Sequence, residues 1–189
     1  MTKLYFYYSA MNAGKSTLLL QSSYNYNERG MKTLLYTTIG SNTECKIKSR
    51  LGVEADANYA HKDLDLYEDI VSHLEMTNIT CVFVDEGQFL TKTQVKQLCR
   101  IVDLDLVPVL VYGLRTDFKG NLFEGSHWLL ALADKLVECK TICHCGSKAT
   151  MNIKVIDGVV QDDSIQMDIG GNDKYISVCR RHYLARVFK

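Results

Sequence analysis

Residues 4–17 read LYFYYSAMNAGKST, and this stretch decides the fold of the chain. The first five residues are apolar or aromatic, which is typical of a β-strand. Gly14-Lys15-Ser16-Thr17 follows at once, and Leu18–Glu28 continues as an amphipathic run. Strand, tight loop and helix in this order are typical of a phosphate-binding loop, whose backbone N–H groups and helix dipole attract phosphate. We therefore expect Lys15 to reach the outer phosphates of a nucleotide and the Ser16 hydroxyl to hold Mg²⁺.

The loop departs from the pattern G-x-x-x-x-G-K-[ST] at its first position, where Ser9 stands in place of glycine. Serine fits there only if its φ angle stays negative, because a positive φ strains a residue that has a Cβ atom. A chance Gly-Lys-Ser in an ordinary strand-to-helix turn is the alternative interpretation. The acidic end of a later strand favours the phosphate-binding loop.

Strand and helix patterns alternate along the first 140 residues. Strand-like runs cover 33–38, 81–84, 107–112 and 136–140, and helix-like runs cover 64–76, 91–102 and 121–133. The runs at 81–84 and 107–112 are continuously apolar, which is typical of strands buried on both faces of a parallel sheet. Residues 39–62 lack periodicity and are predicted to form a long loop. The sequence therefore predicts an α/β fold like that of P-loop NTPases, with a mainly parallel sheet flanked by helices.

The pattern changes after Lys140, where short β-like pieces replace the long runs. Ala149–Ile156 and Tyr175–Arg181 are β-like, and Asp157-Gly158 is a hairpin signal. We expect a nucleotide-binding domain over residues 1–140 and a small β-rich domain over residues 141–189.

Charge and cysteine content limit the environment of the chain. Its 189 residues carry a formal net charge of zero, which argues against broad binding to nucleic acid. No apolar run has the length of a membrane span, and the N-terminus shows no cleavable signal pattern. The chain has seven cysteines, an odd number, and their spacing does not resemble a disulfide framework. We therefore expect a cytoplasmic protein without nucleic-acid or membrane partners.

Asp85 and Glu86 follow the buried strand at 81–84, at the sheet edge where open α/β folds bind ligands. A carboxylate there can hold Mg²⁺, and Asp85 is the natural candidate. Glu86 points the other way if the strand continues, so it could face an acceptor hydroxyl and take its proton. A simple strand end before a turn is the alternative. The absence of an Asn-Lys-x-Asp guanine signature leaves ATP as the expected nucleotide.

Cys143, Cys145, Cys179 and His182 form a C-x-C pair and a C-x-x-H pair, separated by β-like sequence. Thiolate and imidazole ligands in two such pairs suit a tetrahedral structural Zn²⁺. The first pair is one residue tighter than the common C-x-x-C knuckle, so His144 or Cys139 remains an alternative ligand. Unrelated free cysteines are the other interpretation.

Two aromatic residues are candidates for contact with a substrate. Phe118 follows the strand-like run at 107–112, where it could stack on a base or simply belong to the core. Tyr175 has the same two interpretations. Gly170-Gly171 allows close approach of a ligand to the backbone, and is otherwise an ordinary turn.

Four separated motifs occur in order and cover most of the chain. They are SAMNAGKST at 9–17, VDEGQF at 84–89, YGLRTDF at 112–118 and IGGNDKY at 169–175. With the Cys-x-Cys and Cys-x-x-His pairs around the last motif, the chain from Leu4 to Tyr183 resembles the type II (cellular-type) thymidine kinase family, in its bacterial branch.

The resemblance implies transfer of the γ-phosphoryl group of ATP to the 5′-hydroxyl of thymidine, a step of pyrimidine deoxynucleotide salvage, with deoxyuridine left open as a second acceptor. Glu86 is then the general base, and a lasso-like loop rooted at a zinc site reads the thymine edge through its backbone. The implied ATP-binding residues are Ser9, Ala10, Met11, Asn12, Ala13, Gly14, Lys15, Ser16, Asp85, Glu86, Gly87 and Gln88. The implied substrate-binding residues are Phe118, Gln166, Met167, Asp168, Ile169, Gly170 and Tyr175. The implied zinc ligands are Cys143, Cys145, Cys179 and His182. The family also implies a homotetramer and feedback by thymidine triphosphate.

One departure concerns the loop after the second strand, where the family typically has Asp-x-Arg. Residues 39–44 offer no such pair, so either Arg50 or a lysine such as Lys46 takes the phosphate-facing role, or turnover is slower in this chain. Two other function classes remain from the residues alone. One is a nucleotide-sensing binding module whose zinc unit docks a macromolecule, and the other is an ATPase that moves a loop.

Overall fold

The computed structural model describes residues 2–41, 43–161 and 174–189 of the chain. The elements up to residue 140 are β1 (Leu4–Ser9), α1 (Lys15–Glu28), β2 (Lys32–Thr37), β3 (Lys46–Lys48), β4 (Glu54–Asp56), β5 (Asn58–Tyr59), α2 (Leu66–Met76), β6 (Ile79–Asp85), a 3₁₀ turn (Gly87–Phe89), α3 (Lys92–Leu104), β7 (Val109–Leu114), α4 (Glu124–Leu132) and β8 (Lys135–Glu138). Within the described ranges the main sheet has six strands in the order β5-β2-β6-β7-β1-β8, and all of its neighbours pair in parallel. The predicted α/β fold with a parallel sheet is confirmed.

Helices cover both faces of this sheet, so its central strands are buried twice. Leu19 of α1 packs with Phe83 on one face, and Val82 packs with residues of α2, α3 and α4 on the other. Adjacent residues of β6 therefore enter opposite cores, which explains why its sequence is continuously apolar. Because these strands are parallel, the carboxyl ends of β1, β2, β6 and β7 lie at one edge of the sheet.

The long loop predicted for residues 39–62 is wrong in part. The segment contains the antiparallel hairpin β3–β4 and the short edge strand β5 beside β2. Ile47 is buried against α1, and Lys46 Nζ lies 2.7 Å from the Glu54 carboxylate across the hairpin. Strands of two or three residues are too short to give a period in the sequence, so their formation depends on these tertiary contacts.

The remaining described residues form small antiparallel sheets and one helix. The elements are β9 (Thr141–Ile142), β10 (Lys148–Ala149), β11 (Met151–Ile156), β12 (Val159–Gln161), β13 (Tyr175–Val178) and α5 (Arg180–Ala185). β11 lies between β12 and β13, and β9 pairs with β10. Asp157 and Gly158 both have positive φ, as a two-residue hairpin turn of type I′ requires, so that prediction is confirmed.

The β-like prediction for Tyr175–Arg181 holds only as far as Val178. Cys179 is extended and forms the N-cap of α5, which places His182 one turn along the helix from it. The C-terminal β-rich unit is therefore present, with a helix that the sequence pattern did not indicate. The division at residue 140 stays a prediction. None of the helices in the described ranges has the length and apolarity of a membrane span.

Candidate functional site

The phosphate-binding loop runs from the end of β1 into α1 and has the backbone geometry that its sequence predicts. Gly14 has a φ of 72° and immediately precedes the first residue of the helix. Asn12 also takes a positive φ, whereas Ser9 does not. The negative φ predicted as the condition for serine at position 9 is therefore met. Because α1 begins after the carboxyl end of β1, the N–H groups of its first turn lie at this edge of the sheet, which suits an anion.

Lys15 lies within this loop and is almost fully buried. Its ammonium donates to the Ser9 hydroxyl at 3.0 Å and to the Ala10 carbonyl oxygen at 3.3 Å. Burial lowers the pKa of Lys15, while the carboxylates of Glu86 and Asp85 act in the opposite direction. The departure from glycine at position 9 thus supplies a hydrogen-bond acceptor for the lysine of the loop.

Asp85 ends β6 beside the start of α1 and is 4% exposed. Burial raises the pKa of this carboxyl group to about 7, and the neighbouring Glu86 adds to the effect. The side chain of Ser16 and the Glu86 N–H hydrogen-bond to Asp85, which counteracts part of that rise. A buried carboxylate next to a hydroxyl is a donor set that suits Mg²⁺, because a cation would offset the cost of ionisation.

The raised pKa of Asp85 makes stability depend on pH in a defined direction. Between its ordinary value of 3.8 and the folded value of about 7, the folded chain binds more protons than the unfolded chain. The contribution of Asp85 to stability therefore falls as pH rises through this window. We expect Asp85→Asn to raise Tm by roughly 5 °C more at pH 8 than at pH 5, without nucleotide or Mg²⁺. Thermal unfolding at both pH values measures this, and an equal shift at both contradicts it.

Glu86 follows Asp85 but does not continue the strand, so the condition on which its direction was predicted is not met. It has a φ of 55°, in the left-handed region that is unusual for a residue with a Cβ atom. Thr38 Oγ1 donates to the Glu86 carbonyl at 2.7 Å. This backbone turn, rather than strand alternation, brings Glu86 to the wall of the cavity that Lys15 also lines. Strained backbone of this kind is concentrated at functional sites.

Gln88 holds the side chain of Glu86. Its Nε2 donates to Glu86 Oε2 at 2.5 Å, and its Oε1 accepts from the Leu114 N–H at 2.9 Å. Gln88 is buried in a space that two glycines leave open. A Cβ atom on Gly113 would lie 2.9 Å from Gln88 Oε1, and one on Gly125 would lie 2.9 Å from the carbonyl carbon of Gln88. The glycines therefore allow the close packing that fixes the carboxylate of Glu86.

A cavity of about 510 Å³ lies over the phosphate-binding loop. Part of its lining is formed by residues 11–18, which run from the loop into α1, and by Glu86 and Leu114. Residues 48–51, at the end of β3 and in the turn that follows, form the rest. Arg50 thus belongs to this cavity, whereas Lys46 pairs with Glu54 and lines a different one. Of the two alternatives from the sequence, the structure brings Arg50 to the loop.

Phe118 and Tyr175, the two predicted aromatic residues, lie together. Phe118 is buried, Tyr175 is half-buried, and their ring centroids are 6.2 Å apart at an interplanar angle of 50°. They come from the loop after β7 and from β13, which are distant in sequence. Gln166, Met167, Asp168, Ile169 and Gly170 lie outside the described residues.

Asn152 of β11 is a site residue that the sequence did not reveal. Its Oδ1 accepts from the Met11 N–H at 2.8 Å, and its Nδ2 donates to the Thr116 carbonyl at 3.2 Å. The residue is 2% exposed, so both contacts are made away from water. An asparagine in a strand ordinarily indicates a solvent-facing position, and no local pattern marks this one. It joins β11 to the phosphate-binding loop and to the loop that carries Phe118.

The four predicted zinc ligands are brought together. The ligand atoms of Cys143, Cys145, Cys179 and His182 all lie within 4.8 Å of one another. Cys145 Sγ and Cys179 Sγ are 3.9 Å apart, and His182 Nδ1 lies 3.3 Å from Cys143 Sγ. Zn–S bonds of about 2.3 Å in a tetrahedron place sulfurs about 3.8 Å apart, so the cluster fits a zinc ion.

Of the two alternative ligands, Cys139 lies away from the cluster, whereas His144 lies beside it, with its Nδ1 3.5 Å from Cys143 Sγ. The ring of His144 stacks on that of His182, with centroids 4.2 Å apart. Cys139 is buried after β8, where its N–H donates to the Tyr8 carbonyl oxygen. Hydrogen bonds from Ser147 lower the pKa of Cys145 to about 7, which favours the thiolate that zinc requires.

Known proteins match this chain over nearly its whole length. The thymidine kinase family model matches residues 2–183. The chain is 55% identical to a thymidine kinase of Pasteurella multocida, with 99% of each chain covered. It is 56% identical to that of Shewanella oneidensis, with 97% of each covered, and 54% identical to that of Haemophilus influenzae. The chain therefore belongs to the thymidine kinase family.

Proposed function

We propose that the chain transfers the γ-phosphoryl group of ATP to the 5′-hydroxyl of thymidine, with Glu86 as the general base. The observation that carries this proposal is the convergence of buried Lys15 and Asp85 with half-buried Glu86 at the carboxyl edge of the sheet. Family membership supplies the class of reaction. The position of each residue supports the role proposed for it.

In this proposal residues 9–16 hold the phosphates of ATP through backbone N–H groups, and Lys15 moves its ammonium from Ser9 and Ala10 to the outer phosphates. Ser16 and Asp85 hold Mg²⁺, which neutralises charge on the phosphates when it is bound. Asp85 must be ionised for this role. Gly87 and Gln88 border the nucleotide and the acceptor.

Glu86 accepts the proton of the 5′-hydroxyl as that oxygen forms a bond to the γ-phosphorus and the bond to ADP breaks. Its carboxylate is suited to this because Gln88 fixes one oxygen by a hydrogen bond, which leaves the other for the acceptor. The ammonium group of Lys15 attracts the carboxylate of Glu86, and both residues line the same cavity.

Phe118 and Tyr175 are proposed to pack against thymine and sugar, since they form an adjacent aromatic pair after β7 and in β13. Residues 166–170 are proposed to read the thymine edge through their backbone. Zinc at Cys143, Cys145, Cys179 and His182 is proposed to hold the ends of this segment, because Cys179 directly follows β13. A homotetramer and inhibition by thymidine triphosphate complete the proposal by resemblance to the family.

A thymidine-dependent ADP release assay tests the proposal. Release of ADP that requires thymidine, together with thymidine monophosphate as product, supports a kinase. Release of ADP without an acceptor supports the ATPase, and no release with any nucleoside supports the binding module. A panel of nucleosides that includes deoxyuridine defines the acceptor.

Arg50 is expected to contribute to ATP binding, because it lines the cavity over the phosphate-binding loop. We expect Arg50→Met to raise the KM for ATP about tenfold, since a charge-assisted contact to phosphate is lost. Lys46→Met is the matched control on the same hairpin, where the lysine pairs with Glu54. A larger effect of Lys46→Met than of Arg50→Met would assign the role to the lysine instead.

A further inference from the structure

Lys154 is a buried lysine beside the aromatic pair, and neither the phosphate chemistry nor the zinc cluster uses it. It lies in β11, the central strand of the three-stranded sheet, and is 3% exposed. Lysine is rarely buried to this extent without interactions that hold its charge. The contacts of its ammonium group therefore indicate what the residue does.

The strand register places Lys154 directly opposite Tyr175 of β13. Its Nζ lies 5.8 Å from the centroid of the Tyr175 ring and 5.7 Å from that of Phe118. Both distances are within the range of a cation–π interaction, which strengthens when the cation is shielded from water. One ammonium group therefore lies over both rings of the pair.

Lys119 provides an internal comparison. Its Nζ also lies over the Phe118 ring, at 5.8 Å, but its side chain is exposed. Exposed cation–π contacts are worth much less than desolvated ones. Of these two lysines, Lys154 is the one whose contact is shielded and joins the two rings.

We propose that Lys154 is a positioning residue for the acceptor site, which fixes the rings of Phe118 and Tyr175 relative to each other and so pre-organises the wall against which thymidine packs. This inference rests on the proposed function of the aromatic pair. Lys154 then affects binding of the acceptor, because pre-organised rings reduce the ordering that a ligand must otherwise impose. Substitution of Lys154 is expected to leave binding of ATP unchanged.

Steady-state kinetics of Lys154→Met, Lys154→Arg and Lys119→Met test the inference. We expect Lys154→Met to raise the KM for thymidine about tenfold, while the KM for ATP stays within about twofold of the wild type. Lys154→Arg restores the KM for thymidine to within about threefold, because guanidinium also binds ring faces. Lys119→Met changes neither constant.

An unchanged KM for thymidine in Lys154→Met overturns the inference, as does an equal rise of both KM values or a failure of arginine to rescue. Thermal unfolding verifies that each variant is folded, and Lys154→Gln replaces the methionine variant if that one does not fold. Activity of the wild-type chain distinguishes failure of the inference from failure of the proposed function. If it phosphorylates thymidine and Lys154→Met matches it, only the inference fails. If the wild type releases no ADP with thymidine, the proposed function fails and the inference fails with it.

Discussion

The Glu86→Gln variant is expected to phosphorylate thymidine about 10²- to 10⁴-fold more slowly than the wild-type chain, the range for loss of a general base. An amide cannot accept the proton of the 5′-hydroxyl at neutral pH. The amide oxygen of glutamine can still accept the hydrogen bond that Gln88 donates to Glu86. The side chain therefore keeps its position and loses only its basicity, so the change should appear in kcat.

Binding of ATP and turnover must be measured separately to establish this result. ATP affinity is expected to stay close to the wild-type value, because residues 9–16 are unchanged. Glu75→Gln is the control, since Glu75 is an exposed carboxylate on α2. Wild-type turnover in Glu86→Gln would remove Glu86 from the mechanism, and an equal loss in Glu75→Gln would point to an effect of charge on the whole chain.

The second large effect that we expect follows from removal of one ligand of the cluster formed by Cys143, Cys145, Cys179 and His182. The wild-type chain should contain about one zinc ion, since the four ligands form one closed tetrahedral site. Cys179→Ala should abolish this zinc and reduce thymidine phosphorylation by more than about tenfold, because binding of a structural metal contributes directly to folding. The metal would connect the turn between β9 and β10 to the start of α5, and so support β13 with Tyr175.

Elemental analysis of protein purified without chelators measures the zinc content, and the ADP release assay measures the activity. Cys99→Ala is the matched control, because Cys99 lies in α3 and outside the cluster. A fully active wild-type chain without zinc would reject the structural role. Retention of zinc by Cys179→Ala would show that another residue supplies the fourth ligand.

Local sequence patterns predicted the parts of this molecule in which neighbouring residues act together. The phosphate-binding loop needs a strand, a glycine and a helix start in direct succession, so residues 4–17 contain the whole feature. The apolar run before Asp85 identified a buried strand for a similar reason. The cluster of Cys143, Cys145, Cys179 and His182 was predictable because thiolate and imidazole pairs have few other uses at that spacing.

The features that sequence patterns did not predict depend on contacts between distant segments. The β3–β4 hairpin forms because Ile47 packs under α1, and this contact leaves no period in the sequence. The left-handed turn at Glu86 has no signal, since glutamate does not favour it. Asn152 and Lys154 alternate with apolar residues of β11, so their pattern predicts side chains that face water. In the structure both faces of β11 are buried at these positions.

The hydrogen bond from the Met11 N–H to Asn152 has a consequence for amide hydrogen exchange. Protection of this amide depends on a side chain 141 residues away and not on the parallel sheet. It should be lost whenever β11 separates from the phosphate-binding loop, even while β1 and α1 stay folded. In terms of cooperative opening, the tip of the loop belongs with the C-terminal strands. A fragment that ends at residue 140 would keep the glycine and lysine of the loop and lack the acceptor that anchors it.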